Sequence, residues 1–587
     1  MAHITTRNCT LRMNMKTFDG TRWNQNTNEV IKVEDYGATG DGVTDDSSAI
    51  RSAIADVPDG STIKFSPNKT YRLANNFHNS GKSLKFEAYG ATILLDSSNA
   101  RIGAGNSTAY KDILAVSSLT EVTAKNSPHG ADNITNTVAT ITGEVPSTWR
   151  RGDLIRVVAD DVIPGSKDEG STNTSQGRVG QTLTFISSSG NEVTLAGKLD
   201  DPYTTNIKIA RLDTSVKFSW YGGTIEISDD TFQNSSTSYL IEITYVSDVV
   251  IKDVSIPRIT RGAISLRECR NWLVDNVDFG YGINDLSLPA FGYGLANFAS
   301  YYGTLSNCTF RDLRHGYTNG HNGTAAGRTI MEYHGRPHDN IIVNCSSDST
   351  SATAFDSHTS GLREKFIGCY VKNSSGFGLR GRNHEVLDCT VVGGYNAVSV
   401  FDEGTGGQSY GHYINGLKVD DVTFILQDST GTRSDNVGYL KKAIEPITIN
   451  NVYGTYTYRP ISGNYSIIYA NNWNIQFTGS EGTGVLLTRS EFYMSNWIID
   501  LSKYSGDGFG VLIYGYGPTT DPVIIGRTEV NNLKIINSSG KLRYIAGGAG
   551  NANQLRTRNV EADSQPIDGV TNTTYLATPT THLSDIN

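Results

Sequence analysis

A short pattern of apolar and amide residues recurs along the second half of the chain. Each copy reads apolar, any residue, Asn or Asp, apolar, any residue, apolar, as in "VDNVDF" and "VLDCTV". The apolar residue after the Asn or Asp, here called the anchor, is Val254, Val277, Cys308, Cys345, Cys369, Cys389, Val422, Val452, Trp473, Trp497 and Leu533. Only Cys369 follows another residue type, Gly368. The pattern is too regular for chance, so the chain contains a structural repeat.

The length of the repeat predicts the fold. A unit of about 20 to 24 residues with three short strands cannot bury its own apolar face, whereas stacked units place each anchor between equivalent neighbours. Asn and Asp tolerate the left-handed backbone that the corners of such coils need. The sequence therefore predicts an all-β parallel solenoid. In it, the cysteines from Cys308 to Cys389 form a column of small buried residues rather than a redox or metal site.

Composition agrees with this fold and limits the partners. Gly is 61 of 587 residues and hydrophobic residues are 37%, which is typical of many short strands joined by turns. The formal net charge of −9 gives no general attraction for nucleic acid or anionic lipid. No run of about 18 apolar residues is present, so we expect no membrane insertion. The first residues show no apolar signal segment, so we expect synthesis in a reducing cytoplasm.

The distribution of the repeat predicts five regions. Residues 1–30 lack it and are interpreted as an attachment segment, and residues 31–117 as the start of the solenoid, with a short helix capping its open end. Residues 118–210 lose the repeat and alternate like hairpin strands, which predicts a small inserted antiparallel β-domain. The main solenoid is assigned to residues 211–545 and a polar tail to residues 546–587.

Two neighbouring coils carry acid, imidazole and guanidinium groups at matching positions. Asp356 and His358 alternate with the apolar Phe355 in "TAFDSHTSG", so both are expected to face away from the core. When the two coils are aligned on their anchors, Arg380 falls beside Asp356 and Arg382 beside His358, about 4.7–4.9 Å apart. The sequence thus predicts an outward patch in which each arginine lies over one of these two side chains.

The preceding coil adds further candidates. Glu332 and His334 share one face of "RTIMEYHGRPH" by alternation, and they are expected to extend the patch. Six of the eleven histidines fall between residues 315 and 384, where even scatter would place about one. The candidate substrate-binding residues are Arg380, Arg382, His334, His338, His315 and Tyr317. Aromatic faces combined with charge suit a carbohydrate surface.

This patch suits cleavage of a charged polymer. Glycosidic hydrolysis needs one protonated carboxyl group and one carboxylate, which Glu332 as acid and Asp356 as base or nucleophile could supply. Arg380 would favour the charged form of Asp356, and His358 could instead be the general base. Arginines indicate an anionic substrate. Glycoside hydrolysis, lyase chemistry and phosphodiester cleavage of a teichoic acid all stay open.

No cofactor is indicated by the sequence. His334 and His338 have an H-x3-H spacing, but outside a helix this is a weak metal signal. A divalent metal is an alternative that the residues leave open.

One segment near the start resembles a known family. "VEDYGATGDGVTDDSSAIRSAI" is similar to the opening of the pectate-lyase-like right-handed parallel β-helix superfamily, in the form found in bacteriophage tailspikes and tail-associated depolymerases. The resemblance covers residues 31–545. It implies a right-handed parallel β-helix and transfers no catalytic residue. Asp41, Asp45 and Asp46 within the segment are interpreted as turn and cap residues.

The resemblance also implies partners and a location. It implies a homotrimeric component of the virion tail that binds, and often cleaves, a capsular or wall glycan of the host cell. Residues 1–30 would then join other tail or baseplate proteins. A non-catalytic receptor-binding or structural baseplate protein is the alternative, because a pure binder does not need the patch of acid, histidine and arginine.

Overall fold

The computed structural model describes the chain between residues 30 and 564, in the ranges 30–106, 109–124, 134–163, 177–228, 239–282, 291–321, 334–394, 396–400, 411–420, 423–427, 446–456, 459–464, 467–480, 483–488, 490–506, 508–514, 527–548 and 554–564. In these ranges the chain is a parallel β-helix whose coils add strands to three sheets, here called A, B and C. A closed antiparallel barrel is inserted between early coils. The predicted all-β fold class is confirmed.

The strands of each sheet pair in parallel from coil to coil. Sheet A contains Val30–Lys32, Thr62–Lys64, Leu84–Glu87, Phe218–Tyr221, Ser247–Lys252, Arg270–Asp275, Thr304–Ser306, Ile341–Val343, Lys365–Ile367, Glu385–Leu387 and Tyr413–Asn415. Sheet B contains Asp41–Asp45, Thr70–Leu73, Thr92–Leu95, Thr224–Ile227, Ser255–Ile259, Asp278–Gly282, Thr309–Arg311, Ser346–Asp348, Tyr370–Lys372, Thr390–Val392 and Lys418–Asp420. Both continue in the long strands Ile447–Tyr456, Ile467–Phe477, Glu491–Asp500, Arg527–Ile536 and Gln554–Ala562.

Sheet C forms the third side of the body. It contains Phe77–Ser80, Ile102–Gly105, Tyr239–Thr244, Gly262–Arg267, Tyr293–Phe298, His315–Gly320, Thr353–Leu362, Ser375–Arg382, Asn396–Val400, Thr423–Gln427, Ile461–Asn464, Thr483–Thr488, Phe509–Tyr514 and Leu542–Gly548. Apolar side chains from all three sheets meet inside the body in one continuous core.

A 3-10 helix, Val33–Tyr36, and an α-helix, Ser47–Asp56, lie at the start of the solenoid. The α-helix buries Ile50 and Ile54 against the first coils, as expected for a cap. Asp45 Oδ1 accepts a hydrogen bond from the Ser47 backbone N at 3.0 Å, which satisfies one of the donors left free in a first helical turn. Among the described residues, no helix has both the length and the apolar character to cross a membrane.

The anchors and the residues before them behave as the repeat predicts. The residue before the anchor has a positive φ at Asn276, Asn344, Gly368 and Asn496, among others. The anchors behind these corners are buried, and Trp473 and Trp497 stack at a centroid distance of 4.4 Å with an interplanar angle of 5°. The corner amides also bond from coil to coil, in a ladder formed by Asn451, Asn472, Asn496, Asn532 and Asn559.

Two positions of the repeat differ from the prediction. In the coil after Cys389 the anchor is Leu417, which follows Gly416 at φ 72°, whereas the predicted anchor Val422 lies outside the described residues. Gly at the corner hides this copy from a search for Asn or Asp. Val560 is a further anchor behind Asn559, so the solenoid continues beyond its predicted end at residue 545.

The insert is a six-stranded barrel. Its strands are Tyr110–Ala124, Ile134–Ile141, Leu154–Val162, Arg178–Ser189, Glu192–Ala196 and Lys208–Leu212. They begin before and end after the predicted insert of residues 118–210. The barrel has its own apolar core around Ile155, Val157, Leu195 and Ile209.

The barrel is fixed to the solenoid by buried ion pairs. Arg336 and Arg382 both bind Asp201, with a distance of 2.7 Å from Arg382 Nη2 to Asp201 Oδ1. Arg363 donates to both oxygens of Asp200 at 2.7 and 3.0 Å. We call these five residues the clamp. Nearly all of the Arg336 and Asp201 side chains are buried, so removal of either charge would leave the other unpaired between the barrel and the body.

Candidate functional site

The candidate site lies on the outer side of sheet C, on the strand Thr353–Leu362. Phe355 points into the core, where its ring stacks on Phe377 of the next coil at 5.6 Å. Asp356 lies on the opposite side of the strand, beside Thr318 of the preceding coil and Gly378 of the next. Alternation along the strand thus places the carboxylate outside the core, as expected.

Asp356, His358 and Arg380 contact one another. Arg380 Nη1 lies 3.2 Å from each Asp356 carboxylate oxygen, 3.1 Å from the His358 carbonyl oxygen and 2.8 Å from His358 Nδ1. His358 Nδ1 lies 2.9 Å from Asp356 Oδ2. A carboxylate is a stronger acceptor than an imidazole nitrogen, and Arg380 has three other oxygen acceptors here. We therefore assign the Nδ1 proton to the hydrogen bond with Asp356.

Burial differs sharply within this group, which we call the acid–imidazole patch. The Asp356 side chain is 2% exposed, Arg380 11% and His358 33%. Asp356 thus lies on the outer side of the strand, as predicted, but its neighbours cover the carboxylate, and His358 is the most exposed member of the patch. With Nδ1 protonated, the neutral ring carries its basic lone pair on Nε2.

The pKa of Asp356 is held well below its usual range. Burial alone would raise the pKa of this carboxyl, but the Arg380 guanidinium and the hydrogen bond from His358 outweigh that effect. Asp356 is thus a permanent anion that orients and stabilises its neighbours. A group that stays ionised and enclosed in this way is better suited to positioning His358 than to attacking a substrate.

His315 reaches the same patch from the preceding coil. Its Nε2 lies 3.8 Å from Asp356 Oδ2, and its Nδ1 lies 2.6 Å from the Thr353 carbonyl oxygen. Burial lowers the pKa of His315 to about 4, so the ring is neutral near pH 7. Nδ1 donates to Thr353, and the neutral ring packs behind the patch without adding charge.

The predicted register between the two coils is wrong by two residues. Asp356 pairs with Gly378, where the anchors predicted Arg380. The turn before Phe355 is longer than the turn before its partner Phe377, and alignment on the anchors ignores that difference. Arg380 still reaches Asp356 because its long side chain crosses diagonally between the strands.

Arg382 does not lie over His358. It pairs with Leu362 at the end of the strand and binds Asp201 in the clamp. Its predicted role in substrate binding is therefore replaced by a role in fixing the barrel. The sequence could not show this, because the partner lies 181 residues away in the inserted domain.

Two other predicted substrate-binding residues are buried against the barrel. Only 3% of the His334 side chain is exposed, and its Nε2 lies 3.5 Å from Asp160 Oδ1 of the barrel. His338 is stacked on Tyr301 at a centroid distance of 4.7 Å. Neither imidazole is open to a polymer. They face different partners, and no group of three metal-ligating side chains is found in the described part of the chain.

Tyr317 is also placed differently from the prediction. It is buried in the core column and pairs with the inward Phe355. Its hydroxyl donates to Glu364 Oε1 at 2.7 Å. Glu332, the predicted acid, lies outside the described residues.

A buried polar network lies behind the patch, and the sequence pattern did not predict it. Glu364 is fully enclosed and accepts hydrogen bonds from Tyr317, from Asn319 Nδ2 at 2.5 Å and from Asn340 Nδ2 at 3.2 Å. Burial raises the pKa of Glu364, although these donors oppose the rise. Asn319 Oδ1 in turn accepts the backbone N–H of His358 at 2.9 Å. The network therefore fixes the backbone from which the His358 ring projects.

A sequence signal for this network does exist. Asn340, Glu364, His384 and His412 each stand five residues before their anchor, directly before a strand of sheet A. His384 and His412 stack at 5.2 Å with an interplanar angle of 2°. Polar residues repeated at one position of a solenoid coil indicate a buried ladder, and extending the alignment on the anchors backwards would have found it.

The barrel forms a wall beside the patch. The barrel strand that begins at Arg178 pairs with His334 through an isolated bridge. At Gly180 a side chain would meet the His334 backbone at 2.8 Å, so glycine permits this close approach. His321, on the coil that precedes the patch, packs on Gly177 in the same way. The patch is thus flanked by the barrel on one side.

Comparison with known proteins gives one relative by sequence. No family model matches the chain. A depolymerase of Klebsiella phage K64-1, described as capsule K1-specific, is 27% identical over 179 residues. The alignment covers 28% of this chain and 18% of that protein. The chain therefore spans less than a fifth of the length of this relative.

Similarity to solved structures extends over most of the chain. The gp54 tailspike of Acinetobacter baumannii bacteriophage AP22, solved with A. baumannii capsular saccharide, gives a TM-score of 0.54 at 12% identity, over 90% of this chain and 79% of that one. The tailspike gp61 of Pseudomonas phage phi297 gives 0.52 at 13% identity, over 91% and 84%. The tailspike gp49 of Pseudomonas phage LKA1 gives 0.51 at 13% identity, over 90% and 85%. At these identities the similarity establishes the fold.

Proposed function

We propose that this chain, whose fold is that of phage tailspikes, binds and depolymerises an acidic capsular polysaccharide of a bacterial host. Two independent findings support the proposal. The sequence relative is described as a capsule-specific depolymerase, and a structural neighbour was solved with a capsular saccharide. Fold similarity alone would not carry a function, so the proposal depends on the acid–imidazole patch.

The observation that carries the proposal is the hydrogen bond between His358 and Asp356. Donation from Nδ1 to the buried carboxylate fixes the ring and makes Nε2 the basic atom. Nε2 of His358 then removes a proton, either from a water that attacks the anomeric carbon as its bond to the departing oxygen breaks, or from C5 beside a uronate carboxylate as the C4–O bond breaks and a C4–C5 double bond forms. In both cases the departing sugar oxygen takes up a proton from the solvent. Asp356 stabilises the imidazolium that forms, and Arg380 keeps Asp356 ionised throughout.

Three reaction classes fit this base and are distinguished by their products. A lyase leaves an unsaturated sugar that absorbs in the ultraviolet. A hydrolase leaves a new reducing end without that absorbance. A phosphodiesterase acting on a teichoic acid leaves a phosphomonoester. Purified Klebsiella K1 and A. baumannii capsular polysaccharides are the first substrates to test, followed by other serotypes and by teichoic acid.

The test uses His358→Ala and Asp356→Asn beside the wild-type chain. We expect each variant to shorten the polymer at least about 100-fold more slowly, as loss of a positioned general base does, with unchanged circular dichroism. His78→Gln is the matched control, because His78 is an exposed histidine on the same sheet in an early coil. Wild-type protein that binds the polymer without shortening it would show a non-catalytic receptor-binding protein instead.

Assembly also belongs to the proposal. We expect a homotrimer in the virion tail, joined to other tail proteins through residues 1–30, because the family resemblance implies both. Light scattering of the purified protein checks the trimer, and deletion of residues 1–30 checks the attachment. Loss of virion incorporation with activity retained is the expected result.

A further inference from the structure

At one corner of the solenoid, two coils carry residue types that differ from the Asp or Asn of the other coils. The residues that begin this corner in successive coils are Asp248, Asn271, Tyr302, Asp339, Arg363 and Asn383, and all have a positive φ between 51° and 59°. Asp and Asn adopt this backbone at little cost, whereas Tyr and Arg do not. Backbone strain of this kind is often retained for a function. The presence of Tyr302 and Arg363 at positions with a positive φ therefore calls for an explanation in each case.

The role of Arg363 in the clamp explains why it occupies this corner. Its guanidinium binds Asp200 of the barrel and Asp339 of its own column, with four distances between 2.7 and 3.0 Å. Two carboxylates thus take up its charge. No ion pair of this kind explains Tyr302, and 47% of it is exposed.

The surroundings of Tyr302 resemble a binding surface. Its ring meets Tyr301 and His338 edge to face, at centroid distances of 5.4 Å in both cases. These two residues are buried and fix the inner edge of the ring, while its remaining surface is open. An exposed aromatic ring held by a rigid base is suited to stacking on a sugar ring.

Arg270 supplies a charge beside this ring. Its guanidinium lies 5.8 Å from the centre of the Tyr302 ring. No carboxylate among the described residues forms an ion pair with Arg270, and its Nε is buried without a hydrogen-bond partner in that part of the chain. Because the guanidinium forms no ion pair in that part of the chain, it can pair with a carboxylate or another anion of a ligand.

We infer that Tyr302 and Arg270 form a second glycan subsite, in which an acidic sugar stacks on the Tyr302 ring and pairs its carboxylate with Arg270. This inference rests on the proposed function and adds that Arg270 recognises the carboxylate groups of the polymer. Isolated β-bridges pair Tyr301 with His338 and His338 with Leu362, the last residue of the strand that carries His358. From the rise of a strand and the spacing of two coils, the subsite lies on the order of 20 Å from His358. A polymer of several sugars is long enough to reach both positions.

The test exploits the strained backbone. Tyr302→Asn installs the residue type that the column uses elsewhere, so the melting temperature should stay the same or rise. Binding of immobilised Klebsiella K1 and A. baumannii capsular polysaccharides, measured by biolayer interferometry, should weaken at least fivefold. Arg270→Gln should weaken binding of the acidic polymers by a similar factor and lose the salt dependence that Arg270 contributes.

The control is Tyr370→Thr. Tyr370 is an exposed tyrosine on sheet B, and its neighbour in the next coil is Thr390. This variant should bind as the wild type does. Binding by Tyr302→Asn equal to that of the wild type, or no binding of any acidic polymer by the wild type, overturns the subsite. Weakened binding supports it whether or not the polymer is cleaved, so failure of the proposed enzymatic activity is recognised separately.

Discussion

The Asp356 carboxylate lies directly against the backbone of Gly378. A methyl group on Gly378 would come within 2.4 Å of Asp356 Oδ1, so the space for the carboxylate exists only because the facing residue has no side chain. We expect Gly378→Ala to push Asp356 away from His358 and to lower polymer cleavage about 100-fold. The rate of viscosity loss of the capsular polysaccharide measures this.

Ser399→Ala is the control for that substitution. Ser399 pairs with Gly378 in the next coil, and its truncation leaves Asp356 in place. Unchanged activity in Ser399→Ala together with a large loss in Gly378→Ala is the expected result. Equal activity in both variants would contradict a role for the Asp356 position.

The ion pair between Asp356 and Arg380 should contribute to stability as well as to activity. Asp356→Asn leaves a largely buried guanidinium without its anion, and we expect the free energy of unfolding in urea to fall by about 3 kcal/mol. Asp356→Asn combined with Arg380→Gln should recover much of this loss, because no unpaired charge then remains. A double variant as unstable as Asp356→Asn alone would show that the pair is not the cause.

Acid should destabilise the solenoid through its buried histidines. Burial lowers the pKa of His384 to about 4 from an ordinary value of 6.5, and it also lowers the pKa of His412 well below that ordinary value. Below pH 6.5 the unfolded chain takes up protons that the folded chain refuses until about pH 4. Stability therefore falls as the pH falls through this window. We expect the melting temperature to drop steadily from pH 7 to pH 4.5.

His412→Asn checks the assignment of this acid sensitivity. The amide oxygen of Asn replaces His412 Nδ1, which accepts the His384 backbone N–H at 3.2 Å, and it does not titrate. The drop in melting temperature between pH 7 and pH 4.5 should become smaller. An unchanged pH dependence would assign the effect to other groups.

The asparagine ladder makes a separate contribution to stability. Asn496 has φ 57°, donates to Asn472 and accepts from Asn532. Asn496→Ala loses both hydrogen bonds and pays for the left-handed backbone, so we expect a loss of about 2–3 kcal/mol. Asn496→Gly loses the bonds but keeps the backbone conformation, and should lose about half as much. Equal losses would show that the backbone conformation does not matter.

The clamp should control how tightly the barrel is held. Asp201→Asn removes the anion shared by Arg336 and Arg382, and we expect faster amide hydrogen exchange at the contact between barrel and solenoid. Glu121→Gln is the control, because the pair of Glu121 with Lys198 is exposed and contributes little. Exchange rates in Asp201→Asn equal to those of the wild type would show that apolar contacts alone fix the barrel.

The sequence reveals the scaffold more readily than the site. Repeated anchors and corner amides are local, so one coil predicts the next, and the core columns around Cys369 and Trp497 follow directly. The register between Asp356 and Gly378 depends on the length of a turn, which the anchors do not measure. The ion pair between Arg382 and Asp201 depends on how the inserted domain docks against the solenoid, and no periodic sequence pattern contains that information.

The solenoid has two kinds of residue position: corner and anchor positions, which the fold restricts, and outer positions, which it leaves variable. The residue before each anchor must tolerate one backbone conformation, and the anchor must be apolar and buried, so both positions are restricted in residue type. An outward residue on sheet C contacts little beyond its own coil and the next. Substitutions at a few such positions in two or three coils would therefore change the outer surface of sheet C, while the remaining coils continue to fold unchanged.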